Sequence, residues 1–360
     1  MNAPAPVTRI TAGKALRLRG VSWLVRLRAL VLTLAGAAAL LSLMALSTTI
    51  GDIPLTVGDV AAATFGDTPN SFVVRELRLP RALTGALVGA ALALSGAITQ
   101  AIARNPLAST DVLGVTQGAS VAVVALIVLT GAAYGGVSGG LSLLGVPAVA
   151  LAGGLLGAAA VYALAWRRGL EGHRLVLVGI GVAAVFSNVK YWLLTVGDVN
   201  DSGRAMVWIS GSLHARGWEH VLPVGLALAV LVPAALFGSR SLAALRFGDD
   251  TVTGLGVRTN HARSVLIFIA VLLAAVATAS AGPIAFVALA APQIALRVAG
   301  TPQPPLVVSA LTGAVLTVAA DLVARTLFSP VELPVGVVTA VIGAPYLVYL
   351  LIRIRRERRA

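Results

Sequence analysis

Lys190 lies between Val189 and Tyr191, deep in the apolar stretch 173–196. A cation within a hydrocarbon layer is costly, so it faces a polar passage or finds a partner. Lining a translocation passage is one reading of Lys190; a local pair, or reach to the outer interface, is the other. Gln100, Gln117 and Asn188 also interrupt apolar runs. They suit a passage wall, or hydrogen bonds between helices packed in lipid. Asp321 is the one deep acidic candidate and precedes Arg325 by four residues.

Covalent chemistry finds no support. There is no cysteine, which removes thiol and Cys–metal chemistry and leaves the redox compartment open. His173, His214, His220 and His261 do not have metal-ligand spacing. Gly136-Val137-Ser138-Gly139-Gly140 matches a serine-nucleophile pattern, but no histidine lies within a span to activate it, and a flexible turn is the better reading. Neither Lys14 nor Lys190 stands in a Gly-rich phosphate-binding loop. The chain alone therefore cannot hold ATP in the P-loop manner, and any pumping needs a separate motor subunit.

The elements that carry these residues are set by composition. Hydrophobic residues make up 58% of the chain, charged residues 11%, and the mean hydropathy is +0.93. Soluble domains carry about 25% charged residues. A spanning helix needs about 20 apolar residues, and such runs recur along the chain. Residues 148–165 are apolar on every side, which fits helices rather than the alternating strands of a barrel. The expected fold is an all-α polytopic membrane protein with about ten helices, at 29–50, 80–103, 112–131, 145–166, 173–196, 219–239, 261–281, 284–299, 305–327 and 335–353. The eighth is short and follows Pro283, with Pro292 inside it, so it is expected to be broken or tilted. One membrane domain spans 29–353, between a basic segment (1–28) and a basic tail (354–360). The first apolar run is too long for a signal-peptide core and is expected to stay as a helix.

Charge sets the orientation. With the N-terminus inside, 20 basic residues fall on inner segments and six outside: Arg75, Arg78, Arg81, Arg204, Arg216 and Arg325. The bias places both termini in the cytoplasm. The net charge of +13 is then a matter of topology and lipid headgroups, and no nucleic-acid partner is expected. Gly85-x-x-x-Gly89 and Gly153-x-x-x-Gly157 suit close helix packing.

Four motifs punctuate the spans. Arg78-Leu79-Pro80-Arg81 opens the second helix. Ser95-Gly96 and Gln100 lead to Arg104-Asn105-Pro106-Leu107-Ala108, Leu113-Gly114 and Gly118-Ala119. Ala281-Gly282-Pro283-Ile284-Ala285-Phe286-Val287-Ala288-Leu289 precedes Ala291-Pro292-Gln293 and Arg297. Asp321 and Arg325 are followed by Glu332-Leu333-Pro334-Val335-Gly336 and Gly343-Ala344-Pro345. In this order and spacing the chain resembles the permease family of iron-siderophore, haem and vitamin B12 ABC importers, over about 29–353. The stretch 174–182, with Gly248-Asp249-Asp250-Thr251, looks most like the ferric-enterobactin branch. Two positions depart from the pattern: Gln293, where many members have His, and Ala288, where many have Gly.

The resemblance implies ten helices in one subunit of an importer in a bacterial inner membrane. It further implies a second permease subunit (identical or a paralogue), two ATPase subunits that carry ATP and Mg, and an extracytoplasmic binding protein. No cofactor or metal is expected on this chain, and it is a transporter subunit rather than an enzyme. Arg78, Arg81 and Arg325 match positions that dock acidic residues of the binding protein. Interfacial snorkelling, or an Arg325–Asp321 pair, is the alternative. The loop 240–260 matches the element that couples to the ATPase, with Gly248, Asp249, Asp250, Gly254 and Gly256 shaping two short helices. Asn105, Pro106, Gly282, Pro283, Pro292, Asp321, Pro334 and Gly336 are expected to be structural. The fifth helix borders the pathway in this family, which makes Lys190, Gln100 and Asn188 its candidates. The implied cargo is an iron(III)-siderophore, with a catecholate suggested by the enterobactin-like stretch. Haem or cobalamin in the same family, or an ion-coupled secondary transporter, are the rival readings.

Overall fold

The computed structural model describes residues 14–357 other than 19–20, 26, 52, 131–140, 168, 170, 248, 255–257 and 329. The turn expected at 136–140, Gly248, Gly256 and the two ends of the chain lie outside the described residues. Eight described helical segments are long and apolar enough to cross a membrane, and two shorter apolar helices accompany them.

The apolar helices are α1 (Leu27–Thr49), α3 (Leu79–Ala103), α4 (Val115–Thr130), α5 (Leu141–Ala165), α6 (Gly172–Val196), α8 (Trp218–Ala244), α10 (Thr259–Ala281), α11 (Val287–Ala299), α12 (Leu306–Thr326) and α13 (Val335–Glu357), of which α4 and α11 are the two shorter ones. Three short helices lie between them: α2 (Val57–Phe65), α7 (Val199–Ile209) and α9 (Asp249–Gly254). The ten expected spans all have counterparts, and the differences lie in the connections. Before α1, strands β1 (Lys14–Leu18) and β2 (Val21–Val25) pair antiparallel with Leu16 opposite Trp23, a hairpin not foreseen in the basic segment. α2 also went unforeseen. It starts with a reciprocal cap: Asp59 N–H donates to Thr56 Oγ1 at 3.1 Å, and Thr56 N–H donates to Asp59 Oδ2 at 2.9 Å.

α3 is the central pillar. Its apolar window is 83% buried and that of α10 is 72%, whereas that of α1 is 0%. Small residues let α3 take this place. A Cβ on Gly89 would stand 2.3 Å from Gly313 O, and one on Gly313 would stand 2.3 Å from Gly89 O. α3 and α12 therefore cross backbone to backbone, as close packing in lipid requires. The same closeness joins α4 to α5 at Gly118, Gly153 and Gly157.

The two short spans are short for local reasons. Before α4 the chain runs through a 3-10 turn, Thr110–Leu113, and then Gly114 at φ 76°. Before α11, Gly282 (φ 72°) and Phe286 (φ 65°) leave the helical region. The break in the eighth span thus precedes the helix, while Pro292 sits inside α11 without ending it.

Candidate functional site

At the end of the bundle where α3 begins, a π-helical turn, Val73–Arg78, runs into α3 and presents Arg78 and Arg81 on neighbouring turns. Arg81 enters a two-carboxylate clamp. Its Nε donates to Asp321 Oδ1 and Oδ2 at 3.2 and 3.1 Å, its Nη2 to Asp321 Oδ1 at 2.9 Å, and its Nη1 to Glu332 Oε2 at 3.0 Å. The Arg81 side chain is 14% exposed and that of Asp321 4%. Planar guanidinium against carboxylate is the strong, bidentate form of ion pair. Glu332 is also held by His214, whose Nδ1 lies 2.8 Å from Oε2.

Arg78 and Arg325 instead serve main-chain carbonyls. Arg78 Nη1 donates to Thr48 O at 2.9 Å and Thr49 O at 3.2 Å, and Nη2 to Ile53 O at 2.6 Å. Arg325 Nη1 donates to Ile50 O at 2.8 Å, and Nη2 to Ser47 Oγ at 2.9 Å and to Ser47 O. The last four carbonyls of a helix have no partner of their own; these two arginines supply the donors at the end of α1. The pair expected between Arg325 and Asp321 does not form as a hydrogen-bonded bridge, because Arg81 takes that carboxylate.

Glu332 lies outside the spans. Burial alone would raise its pKa, but the bonds from His214 and Arg81 and their charges outweigh it and hold the carboxyl below the ordinary glutamate value of 4.5. A depressed carboxylate contributes stability above its unfolded pKa, and that contribution is lost as pH falls through the folded value. The thermal midpoint of the parent should therefore drop as pH falls below about 4.5. Glu332→Gln should flatten this part of the profile; an identical acid limb would refute the assignment.

Beside this cluster, two motif segments are tied together through the loop after α7. Ser212 N–H donates to Ala281 O at 2.9 Å and Gly336 N–H to Gly211 O at 3.0 Å. Gly211 faces Pro283 O and Gly336 faces Ser210 O, each too closely for a Cβ. Gly282, Pro283, Pro334 and Gly336 thus knot the start of α13 to the end of α10 and the loop after α7.

At the opposite end of the bundle, Arg104 ends α3 in the left-handed region (φ 49°), and Asn105 turns the chain. Leu107 N–H donates to Asn105 Oδ1 at 3.0 Å, with Pro106 between them. The loop 240–260 holds a 3-10 turn, Leu245–Phe247, followed by α9, which starts at Asp249 and takes in Asp250 and, at its end, Gly254. The expected pair of short helices corresponds to these two turns.

The pathway candidates do not converge. Lys190 is buried, and its Nζ donates to Gln117 Oε1 at 3.3 Å while lying 5.1 Å from the Tyr191 ring centre. Gln117 also accepts from Ser187 at 3.2 Å. This is the local-partner alternative for the lysine. Asn188 is exposed and donates to Ala184 O at 2.8 Å within its own helix. Gln100 lies elsewhere, in α3. Gln293 Nε2 donates to its Oε1 at 2.8 Å, and its own Nε2 donates to Leu289 O at 3.1 Å. The departure at position 293 therefore supplies an amide that ties α11 to α3. Sequence reasoning missed two things: the anchoring of α1 by arginines, and the gathering of Arg104, Arg246, Arg297 and Arg353 at one inner cavity. Arg78 and Arg325 stand in the sequence as docking candidates, Arg104 and Arg297 as motif residues, and Arg246 and Arg353 as topology signals alone.

Similar proteins share this architecture. A solved metal-chelate type ABC transporter in an inward-facing conformation superposes with a TM-score of 0.79 at 28% identity, covering 89% of this chain and 98% of that one. The ferric enterobactin transport system permease FepG of Escherichia coli (strain K12) is 42% identical over 310 residues, 86% of this chain and 91% of that protein. The iron(3+)-hydroxamate import system permease FhuG of Bacillus subtilis (strain 168) is 39% identical over 292 residues, 80% and 86% of the two chains. The Fe(3+) dicitrate permease FecD of E. coli is also 39% identical, over 286 residues, 79% and 86% of the two chains. The profile of the FecCD transport family runs from residue 39, within α1, to 353, within α13, taking in the arginine–carboxylate clamp and the turn after α3, and the chain belongs to that family.

Proposed function

We propose that this chain is the membrane-spanning permease subunit of an ATP-driven importer that carries iron(III)-siderophore complexes into the bacterial cytoplasm. The observation that carries this reading is the 42% identity to a ferric enterobactin permease across 310 residues, on a fold shared with a metal-chelate ABC transporter. A catecholate is the finer proposal for the cargo. Relatives named for hydroxamate and dicitrate complexes are the competing cargo chemistries.

In this reading two permease subunits, two ATPase subunits and a binding protein form the complex, in the inner membrane with both termini cytoplasmic. The binding protein docks by acidic groups on the outer surface held by Arg78, Arg81 and Arg325. These arginines act partly through geometry, since they fix the ends of α1, α3 and α12 relative to one another. α9 and the turn before it seat in the ATPase. Closure of the ATPases moves this knob and rocks the permease pair about a passage at their interface; Lys190, Gln100 and Asn188, the sequence candidates for its wall, are each engaged locally in this subunit.

The test is reconstitution of the permease with its ATPases in proteoliposomes, with the binding protein outside and radioactive iron as catecholate, hydroxamate or citrate complex. Uptake should require ATP, ignore an uncoupler and favour the catecholate. Uptake abolished by the uncoupler would favour an ion-coupled carrier, and uptake of haem or cobalamin alone would refute the iron cargo. Deleting 249–254 should reduce uptake to background and lose the ATPase from pull-downs; stoichiometric ATPase retention would refute the coupling role.

A further inference from the structure

Four arginines meet at the inner end of the bundle, and transport as read above uses none of them. Arg104 follows α3, Arg246 lies in the 3-10 turn after α8, Arg297 is in the last turn of α11, and Arg353 is in α13. With Gln100 and Gln293 at its floor, they line an open cavity of about 490 Å³. That volume is in the range of small-ligand sites, roughly 300–1,000 Å³. The described lining residues include no aspartate or glutamate.

Helix ends draw cations, and α3, α8, α11 and α13 all finish on this side. Each C-terminus is equivalent to about half a negative charge, so the four ends offset about half of the four guanidinium charges. Arg104 serves the α8 end, while Arg353 and Arg297 turn toward Tyr349. Arg104 Nη2 donates to Leu245 O at 2.5 Å, and Arg353 Nη1 to Tyr349 Oη at 3.0 Å. Arg297 lies 5.8 Å from the Tyr349 ring centre, and its Nη1 is buried with no hydrogen-bond acceptor. A buried charged donor left without an acceptor is costly, and here it lines a cavity that could supply one.

We propose that this cavity binds a phosphate-class oxyanion, carried either by the headgroup of an anionic phospholipid or by a soluble phosphate. Guanidinium forks match phosphate oxygens in pairs, and basic pockets between helices at this membrane boundary suit anionic headgroups. Arg246, Arg297 and Arg353 line the cavity and are its candidate phosphate ligands.

The full-length chain, stripped of lipid in detergent, is offered cardiolipin, phosphatidylglycerol or phosphatidylcholine, with retention read by native mass spectrometry. A parallel arm reads the shift of the thermal midpoint by inorganic phosphate. Arg246→Gln with Arg297→Gln should weaken retention of both anionic lipids roughly 30-fold and leave phosphatidylcholine unchanged; that result assigns the lipid. A phosphate-induced shift in the parent that the pair abolishes, with lipid retention unchanged, assigns the soluble anion. Equal lipid retention and equal phosphate response in parent and variant would overturn the site. So would an equal loss from Arg204→Gln on the outer face, which would make the effect one of general surface charge. If the glutamine pair does not fold, Arg353→Gln carries the same readouts, and unchanged binding of both probes in it overturns the site.

Discussion

Asp321→Ala should destabilise the folded subunit by about 3 kcal/mol, at the lower end of the 3–5 kcal/mol that breaking a buried pair costs. The alanine leaves Arg81 with three lost contacts, those from Nε and Nη2 to the carboxylate. Glu332 stays on Nη1, which is why the upper end is not expected. Removing both charges together, as Arg81→Met with Asp321→Leu, should cost less than the sum of the two single changes, because neither charge is then stranded. Denaturant unfolding of the detergent-solubilised chain measures Asp321→Ala, the two single changes and the double variant. Additive losses would mean that the pair does not couple as the geometry states.

Gly96→Val should prevent accumulation of the folded subunit. A Cβ at this position would lie 1.8 Å from Ala288 O and 2.7 Å from Ala288 C. The obstruction is main chain, in the first turn of α11, directly after the break at 282–286, so no rotamer change relieves it. Overpacking that side chains can absorb costs about 1–3 kcal/mol; this contact should exceed that. Gly181→Ala is the matched control, because no atom lies within 4 Å of its added Cβ. It should stay within about 1 kcal/mol of the parent. Yield of monodisperse protein by size-exclusion chromatography separates the cases, and a well-folded Gly96→Val would refute the crossing of α3 and α11.

The spans were legible because lipid makes hydropathy decisive: an apolar run of the right length has few alternatives. The connections were not. α2 is too short for that signal and α7 both too short and too polar, and α2 is recognisable only by its Thr56–Asp59 cap. The arginines show a different limit. Their positions at the outer boundary were plain, and resemblance assigned them to a partner. What each guanidinium touches depends on a fold that brings residues 25–275 positions away within reach. Asp321 could be seen four residues before Arg325 on one helix, yet the stronger partner was Arg81, 240 positions earlier. Lys190 and Gln117 were both marked as polar intrusions, but no spacing rule joins residues on separate helices. The basic inner cavity was hidden for the same reason, since its arginines sit on four different elements.

The fastening of α1 bears on how the subunit is made. The window that gives α1 its apolar character is not buried, and its outer end is held by Arg78 and by Arg325, from α12. During synthesis the first helix enters the bilayer long before the one carrying Arg325 leaves the ribosome. Until then one of its two latches is missing, and its terminal carbonyls rest on Arg78 and headgroup water. α1 is therefore translated well before the second of its latches. A chain that stalls short of α12 leaves its leading helix half fastened, open to the quality-control proteases of the membrane.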